Sequence, residues 1–176
     1  MNDGIFVRKG KLVSLRLMRE EDFPLIVEWR NKERVRNNFI YREDFTLESQ
    51  RKWAETQVRS GKVVQFIICE NEKDSRPIGS VYFRDIDFCL KEAEYGIFIG
   101  EDDAIGKGYG NESAILALDY AKEELELESL ILRAFKRNTA AIRSYENAGF
   151  VKTQDVYNVE CSDGQKDDMI LMKKVF

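Results

Sequence analysis

Leu12 to Leu17 (LVSLRL) alternates apolar and polar residues, which predicts a strand with one face buried. Behind it, Phe23, Ile26, Val27 and Arg30 follow near-helical spacing, with Glu20, Glu21 and Asp22 where acids favour a helix N-terminus. Thr46 fits the N-cap of a second helix carrying Leu47, Trp53 and Ala54 on its apolar side and stopping at Gly61. Val63 to Cys69, Pro77 to Phe83 and Glu94 to Ile99 then read as strands, the first two separated by the turn composition Asn71 to Ser75. A glycine-rich loop follows. Asn111 to Leu125 predicts a helix with Ala114, Ile115, Leu118, Ala121 and Leu125 at core spacing. Leu130 to Ala134 is a short strand. Asn138 to Ala148 is a helix closed by Gly149. Val151 to Val159 and Met169 to Val175 end the chain as strands around a Ser162-Asp163-Gly164 turn.

Three consecutive strands predict a meander, and the later strand-helix-strand unit predicts parallel pairing. The expected fold class is α/β, with a mixed parallel and antiparallel sheet of the α+β kind and helices on both faces. No linker or repeat divides the chain, so residues 1–176 read as a single domain.

Composition narrows the chemistry. Histidine is absent, which excludes a Ser-His-Asp triad, a Cys-His dyad and any His-ligated metal within this chain. Cys69, Cys89 and Cys161 are far apart and not in CxxC spacing. They predict reduced thiols rather than a disulfide framework or zinc site, and no metal is expected. Nothing marks Cys89 or Cys161 as an acyl carrier. Lys and Arg number 28 against 32 Asp and Glu, so a nucleic-acid partner is not expected. No apolar run approaches the ~20 residues of a membrane span. Residues 1–11 have no apolar signal-peptide region, so a cytoplasmic location without a membrane partner is expected.

The loop after the Glu94 strand reads Gly100 to Gly110 (GEDDAIGKGYG). A strand, a glycine turn and a helix start make an anion site from backbone N–H groups and the helix dipole. Walker A spacing fails, because Gly100 stands one residue too far from Gly106-Lys107 and Gly108 replaces the metal-binding hydroxyl. Glu101, Asp102 and Asp103 would also repel a triphosphate. Rossmann spacing fails because the third glycine comes one position early. A glycine-rich turn without any ligand remains open on these residues alone.

Ile105-Gly106-Lys107-Gly108-Tyr109-Gly110 resembles the [RQ]-x-x-G-x-[GA] pyrophosphate loop of the GNAT acetyltransferase superfamily, with Ile105 where the motif has Arg or Gln. Asn138 to Phe150 (NTAAIRSYENAGF) resembles that family's N-x-x-A-x-x-x-Y-x-x-x-G-F segment. The element order matches over roughly residues 12–173. Glu28-Trp29-Arg30-Asn31 and the closing strands look most like the RimJ/RimL branch, which acetylates protein N-termini and has relatives acting on polyamines and amino sugars.

The resemblance implies acetyl-CoA as co-substrate. Its pyrophosphate would lie on the backbone of Ile105, Gly106, Lys107, Gly108, Tyr109, Gly110 and Asn111. Its pantetheine arm would run beside Ile97, Phe98 and Ile99 like an added strand. Tyr145 matches the general acid for the leaving thiolate, with simple packing at the helix end as the alternative. Asn138 matches a position contacting CoA or an ordered water, and a helix N-cap is compatible with that. Without histidine the base must be a carboxylate or a water chain. Glu94, at the start of the strand leading to the loop, is the first candidate, against a solvated strand-end charge; Glu28 and Glu43 follow. The acceptor pocket would come from Trp29, Arg30, Asn31 and Tyr41, with Phe39 and Trp53, unless these aromatics are core.

The implied function is an acetyl-CoA-dependent N-acetyltransferase acting by direct attack of an amine on the thioester. The acceptor is a small-molecule or peptide amine: a protein N-terminus, an amino-sugar nucleotide or a polyamine-like amine. Arg30, Arg34 and Arg36 tilt the expectation to an anionic acceptor, unless they form a solvated helix face. The alternative function is a non-catalytic acetyl-CoA-binding regulatory module; a third is an interaction domain without CoA. Strand edges near the C-terminus would support a homodimer.

Overall fold

The computed structural model describes residues 5–176. Residues 1–4, part of the stretch read for a signal peptide and of the chain-long domain reading, lie outside the described residues. The strands are β1 (Phe6–Lys9), β2 (Val13–Leu17), β3 (Val64–Glu70), β4 (Arg76–Asp87), β5 (Glu92–Ile99), β6 (Ser129–Phe135), β7 (Val151–Glu160) and β8 (Lys166–Val175). The helices are α1 (Phe23–Asn31), α2 (Glu33–Arg36), α3 (Leu47–Trp53), α4 (Tyr109–Glu123) and α5 (Thr139–Asn147). The strands form one eight-stranded sheet in the order β1-β2-β3-β4-β5-β6-β8-β7. Every neighbouring pair is antiparallel except β5 and β6. The fold class is α/β with a mixed sheet, as the element order predicts.

Alternation along β4 and β5 assigns the two faces. Val81, Phe83, Ala93 and Tyr95 turn to one face and pack with Ala117 and Ala121 of α4. On the other face, Ile26 and Trp29 of α1 pack on Ile67, Cys69 and Phe98. Thr46 caps α3 by accepting from the Ser49 N–H, and the Ser49 hydroxyl accepts from the Thr46 N–H. Two details depart from the sequence pattern. Leu47 is exposed, and Gln50 is the buried residue of α3. Ile115 is exposed too, because α4 buries the stripe Ser113, Ala114, Ala117, Leu118 and Ala121 and leaves Ile115 on the next face.

The feature that makes a site is a parting of strands. β5 and β6 pair only through Glu92–Glu94 and Ser129–Ile131. Beyond that, Tyr95 to Ile99 stay with β4. Leu132 to Phe135 stay with β8. The two strands diverge as a V, and one edge of β5 is left without a strand partner. No helix among the described residues is long and apolar enough to cross a membrane.

Candidate active site

The V opens into a cleft of about 920 Å³. Glu94, Ile97, Phe98, Ile99, Ile105, Gly106, Gly108, Tyr109, Gly110, Asn111, Asn138 and Tyr145 all line it, as do Arg30 and Tyr41. Trp29, Asn31 and Lys107 do not.

One wall is backbone. Gly106 (φ +74°) and Gly108 (φ +81°) occupy the left-handed region, where a side chain costs about 1–2 kcal/mol. Gly108 is also the N-cap of α4, and the first intrahelical bond runs from the Glu112 N–H to the Gly108 carbonyl at 3.1 Å. The N–H groups just before it have no intrahelical acceptor. Glu112 fixes this helix start. Its Oε2 accepts from the Leu12 and Val13 N–H groups at 2.7 Å each, and its Oε1 from Lys11 N–H at 3.0 Å. Nothing in the sequence pattern singles out Glu112. The three acids at the start of the loop are engaged elsewhere. Glu101 accepts from Trp29 Nε1 at 2.7 Å, Asp102 pairs with Arg34 at 2.8 Å and Asp103 with Arg76 at 2.9 Å. Hydrogen bonds from Arg34 and Arg76 hold the Asp102 and Asp103 carboxyls below their ordinary range. Lys107 is exposed, with Nζ 6.0 Å from the Tyr109 ring centroid.

α5 lines the cleft through Ala140, Ala141, Ser144 and Tyr145. Asn138 caps it by accepting from the Ala141 N–H at 3.3 Å, and it also lines the cleft. The Ser144 hydroxyl donates to Asn111 Oδ1, tying α5 to the first turn of α4. The Tyr145 ring packs edge-on against Tyr95 (6.1 Å) and Phe150 (6.2 Å). Burial pushes the Tyr145 phenol above its ordinary range, and Tyr82 adds to the shift. It is therefore a protonated donor at neutral pH.

The opposite wall is made of side chains. Glu94 stands where β5 and β6 part. Its Oε1 accepts from Arg84 at 2.7 Å, and both its oxygens accept from Arg133 at 3.2 Å. Tyr82 lies flat over Gly96, where a Cβ would come 2.3 Å from the phenol ring. Arg30 lies against two rings, its guanidinium carbon 3.4 Å from the Phe39 centroid and 4.7 Å from that of Phe45. Burial lowers the Arg30 pKa to about 10; Tyr82 and Tyr41 oppose the shift and Arg84 adds to it. Tyr41 is half-exposed and stacks edge-on with Phe45.

Trp29 and Asn31 have other work. The stripe Phe23, Ile26 and Trp29 faces the sheet, so the next residue, turned about 100° further, faces the cleft. Trp29 is fully buried beneath Gly100, where a Cβ would meet its ring at 2.1 Å. Asn31 accepts from the Phe45 N–H at 2.8 Å and donates to the Phe45 carbonyl at 2.9 Å, pinning the segment that carries the aromatic wall. Tyr82, Arg84 and Arg133 escape sequence reading. The one signal is alternation along β4, which puts Tyr82 and Arg84 opposite Val81 and Phe83. No group of three or more Cys, Asp or Glu that could hold a metal ion occurs among the described residues.

The family model described as "Acetyltransferase (GNAT) domain" matches residues 13–151. The Bacillus subtilis "Probable N-acetyltransferase YjcK" is 32% identical over 151 residues, covering 82% of this chain and 83% of that protein. The Drosophila melanogaster "Alpha/beta-tubulin-N-acetyltransferase 9" is 27% identical over 145 residues, covering 76% and 72%. Among solved structures, the Vibrio cholerae spermidine N-acetyltransferase in complex with CoA and spermine superposes with a TM-score of 0.85 at 21% identity. It covers 94% of this chain and 96% of that one. These relatives carry the family and the fold, and not the RimJ/RimL branch.

Proposed function

This chain belongs to the GNAT acetyltransferase family and is an N-acetyltransferase, and from that premise we propose that it transfers acetyl from acetyl-CoA to a primary amine inside the V. The observation that carries the reading is the parting of β5 from β6, with the glycine loop and Tyr145 on the same cleft.

Acetyl-CoA supplies the activated thioester. The residues present fit it. Backbone amides of Gly106, Gly108, Gly110 and Asn111 cradle the pyrophosphate, and a Cβ at Gly106 or Gly110 would meet nothing within 4 Å, so the cradle is open. The edge of β5 at Ile97 to Ile99, where the Ile99 carbonyl also accepts from Arg34 at 2.9 Å, offers main-chain hydrogen bonds to the pantetheine amides. As the amine nitrogen bonds to the thioester carbon and the C–S bond breaks, Tyr145 donates its proton to the departing sulfur. Asn138 fixes the start of α5 at the cleft through its cap. Glu94 takes the proton released by the amine, through water. Its oxygens already accept from Arg84 and Arg133, so this needs one of those bonds to yield. A water chain to solvent is the competing route, and Glu94→Gln separates them: a large fall in kcat with the acetyl-CoA KM unchanged marks Glu94 as the base, and an unchanged kcat marks the water chain.

The acceptor is a small-molecule or peptide amine; the named relatives act on spermidine and tubulin. Assignment to the RimJ/RimL-like branch rests on Glu28 to Asn31 and the closing strands alone. We read residues 1–176 as one cytoplasmic domain, and as a homodimer using the sheet edge at β7, where Val151 and Tyr157 are exposed.

The test pairs binding with turnover. Acetyl-CoA should raise the Tm of wild type and Tyr145→Phe alike, and only wild type should release CoA rapidly with an amine. Equal rates would remove Tyr145 from the chemistry. No thermal shift would remove the acetyl-CoA site.

A further inference from the structure

We infer that the acceptor amine carries an oxyanion, a carboxylate or a phosphate ester, which the Arg30 guanidinium holds against the wall formed by Phe39 and Phe45. The inference rests on the acetyltransferase reading above and adds the substrate class to it.

Other largely buried guanidiniums among the described residues have at least one acceptor, although Arg36 and Arg84 also keep a buried Nε without one. Arg42 donates to the Phe39 carbonyl at 3.0 Å, to Gln165 at 3.3 Å and to Asp163 at 3.4 Å. Arg16 grips both oxygens of Asp22, at 2.8 and 2.7 Å. Arg84 has Glu94 at 2.7 Å. The Arg30 side chain has no hydrogen bond and no ion pair among the described residues, and its Nε is buried without an acceptor. Two ring faces attract the cation but accept none of its five N–H bonds in the guanidinium plane. The residue is half-buried, and its guanidinium has no acceptor among the described residues, so an oxyanion in the cleft would supply one.

The donors open onto the cleft. Arg30 lines it together with Tyr41 and Tyr82. The wall behind is fixed: Asn31 bonds both backbone groups of Phe45, and the Arg42 N–H donates to the Ser162 hydroxyl at 2.7 Å. The guanidinium plane is therefore oriented before anything binds, which suits bidentate oxyanion recognition.

Charge points the same way. Four arginines line the cleft (Arg30, Arg34, Arg84 and Arg133), against one carboxylate, Glu94. Asp102 answers Arg34, and Glu94 is shared between Arg84 and Arg133. The surplus positive charge lies in the cleft. A polycation such as spermidine would meet repulsion there, while an anionic amine would be drawn in.

The test uses matched acceptors that differ only in the anion. Glucosamine 6-phosphate is compared with glucosamine, a dipeptide acid with its C-terminal amide, and spermidine serves as the polycation; CoA release is read. Wild type should favour the anionic member of one pair by about 10–100-fold in kcat/KM. The pair identifies phosphate or carboxylate as the group held. Arg30→Gln should erase the preference while leaving the KM for acetyl-CoA unchanged, and Arg30→Lys should restore part of it. The Tm of Arg30→Gln should equal or exceed that of wild type, since a purely structural arginine would lower it when removed. Equal rates within both pairs, or spermidine as the best acceptor, would overturn the inference and leave the acetyltransferase reading standing. A raised acetyl-CoA KM in Arg30→Gln would assign the guanidinium to a CoA phosphate and overturn it too. Absence of any acetyl-CoA thermal shift in wild type would remove the reading itself, and the inference with it.

Discussion

The two walls of the cleft are built in different ways. The wall from Ile105 to Asn111, with the unpaired edge of β5, presents main-chain groups, and its demands on side chains are negative: no Cβ at two left-handed positions and no crowding of the helix start. The facing wall works through side chains gathered from α1, the irregular segment at Phe39 to Phe45, β4, β5 and β6. A backbone site is contiguous, so it imposes a spacing on the sequence. A side-chain site assembled from five places imposes none. The walls should also fail differently. Changes in the backbone wall should act on acetyl-CoA, and changes in the side-chain wall on the acceptor.

Tyr145 stands between the walls and should show the largest effect. Tyr145→Phe should lower kcat by about 10²–10⁴-fold with both KM values and Tm nearly unchanged, as steady-state kinetics would report. A matching rise in either KM would make the phenol a binding group instead. Gly108→Ala forces a Cβ into the left-handed region. At about 1–2 kcal/mol it should raise the KM for acetyl-CoA by roughly 5–30-fold and leave the acceptor KM alone. If the acceptor KM moved equally, the separation of the walls would be lost. Glu112→Gln keeps the shape but removes the charge that holds three backbone N–H groups. Urea denaturation should show a loss of about 1–2 kcal/mol, with a smaller rise in the acetyl-CoA KM. The smallest effect is an absence. Burial raises the Tyr145 phenol above the ordinary 10.0, so the folded enzyme keeps its proton beyond the pH at which a free phenol loses it. The kcat profile should therefore stay level through pH 10, and an alkaline fall below that value would contradict the donor role.

What the sequence reveals follows the same division. The helix after the glycine loop and the helix opened by Asn138 are legible because local spacing fixes them, whereas Tyr145 is singled out only by the resemblance of Asn138 to Phe150 to the family segment. The meander is legible because β3 is an apolar, β-branched run and alternation in β4 and β5 records which face is buried. The V is not, since it depends on β6 following β8 while β5 follows β4. Trp29 and Arg30 are adjacent in sequence, and the family resemblance offers both as pocket residues. Packing separates them: Trp29 fills the space beneath Gly100, and Arg30 takes the cleft. Asn31 acts one step back, by holding Phe45. Tyr82 and Arg84 sit on a strand whose inward neighbours are apolar, so nothing local distinguishes them from ordinary outward-facing residues. The charges of Glu101, Asp102 and Asp103 look hostile to a phosphate until their partners Trp29, Arg34 and Arg76 are in view.

The central claim is that the V between β5 and β6, closed by the glycine loop, is the acetyl-CoA site. Amide hydrogen exchange with and without acetyl-CoA reads it residue by residue. Protection should rise at Tyr95 to Ile99 and at Gly106 to Asn111, and stay unchanged along β7. Protection elsewhere with none at these two segments would contradict the account.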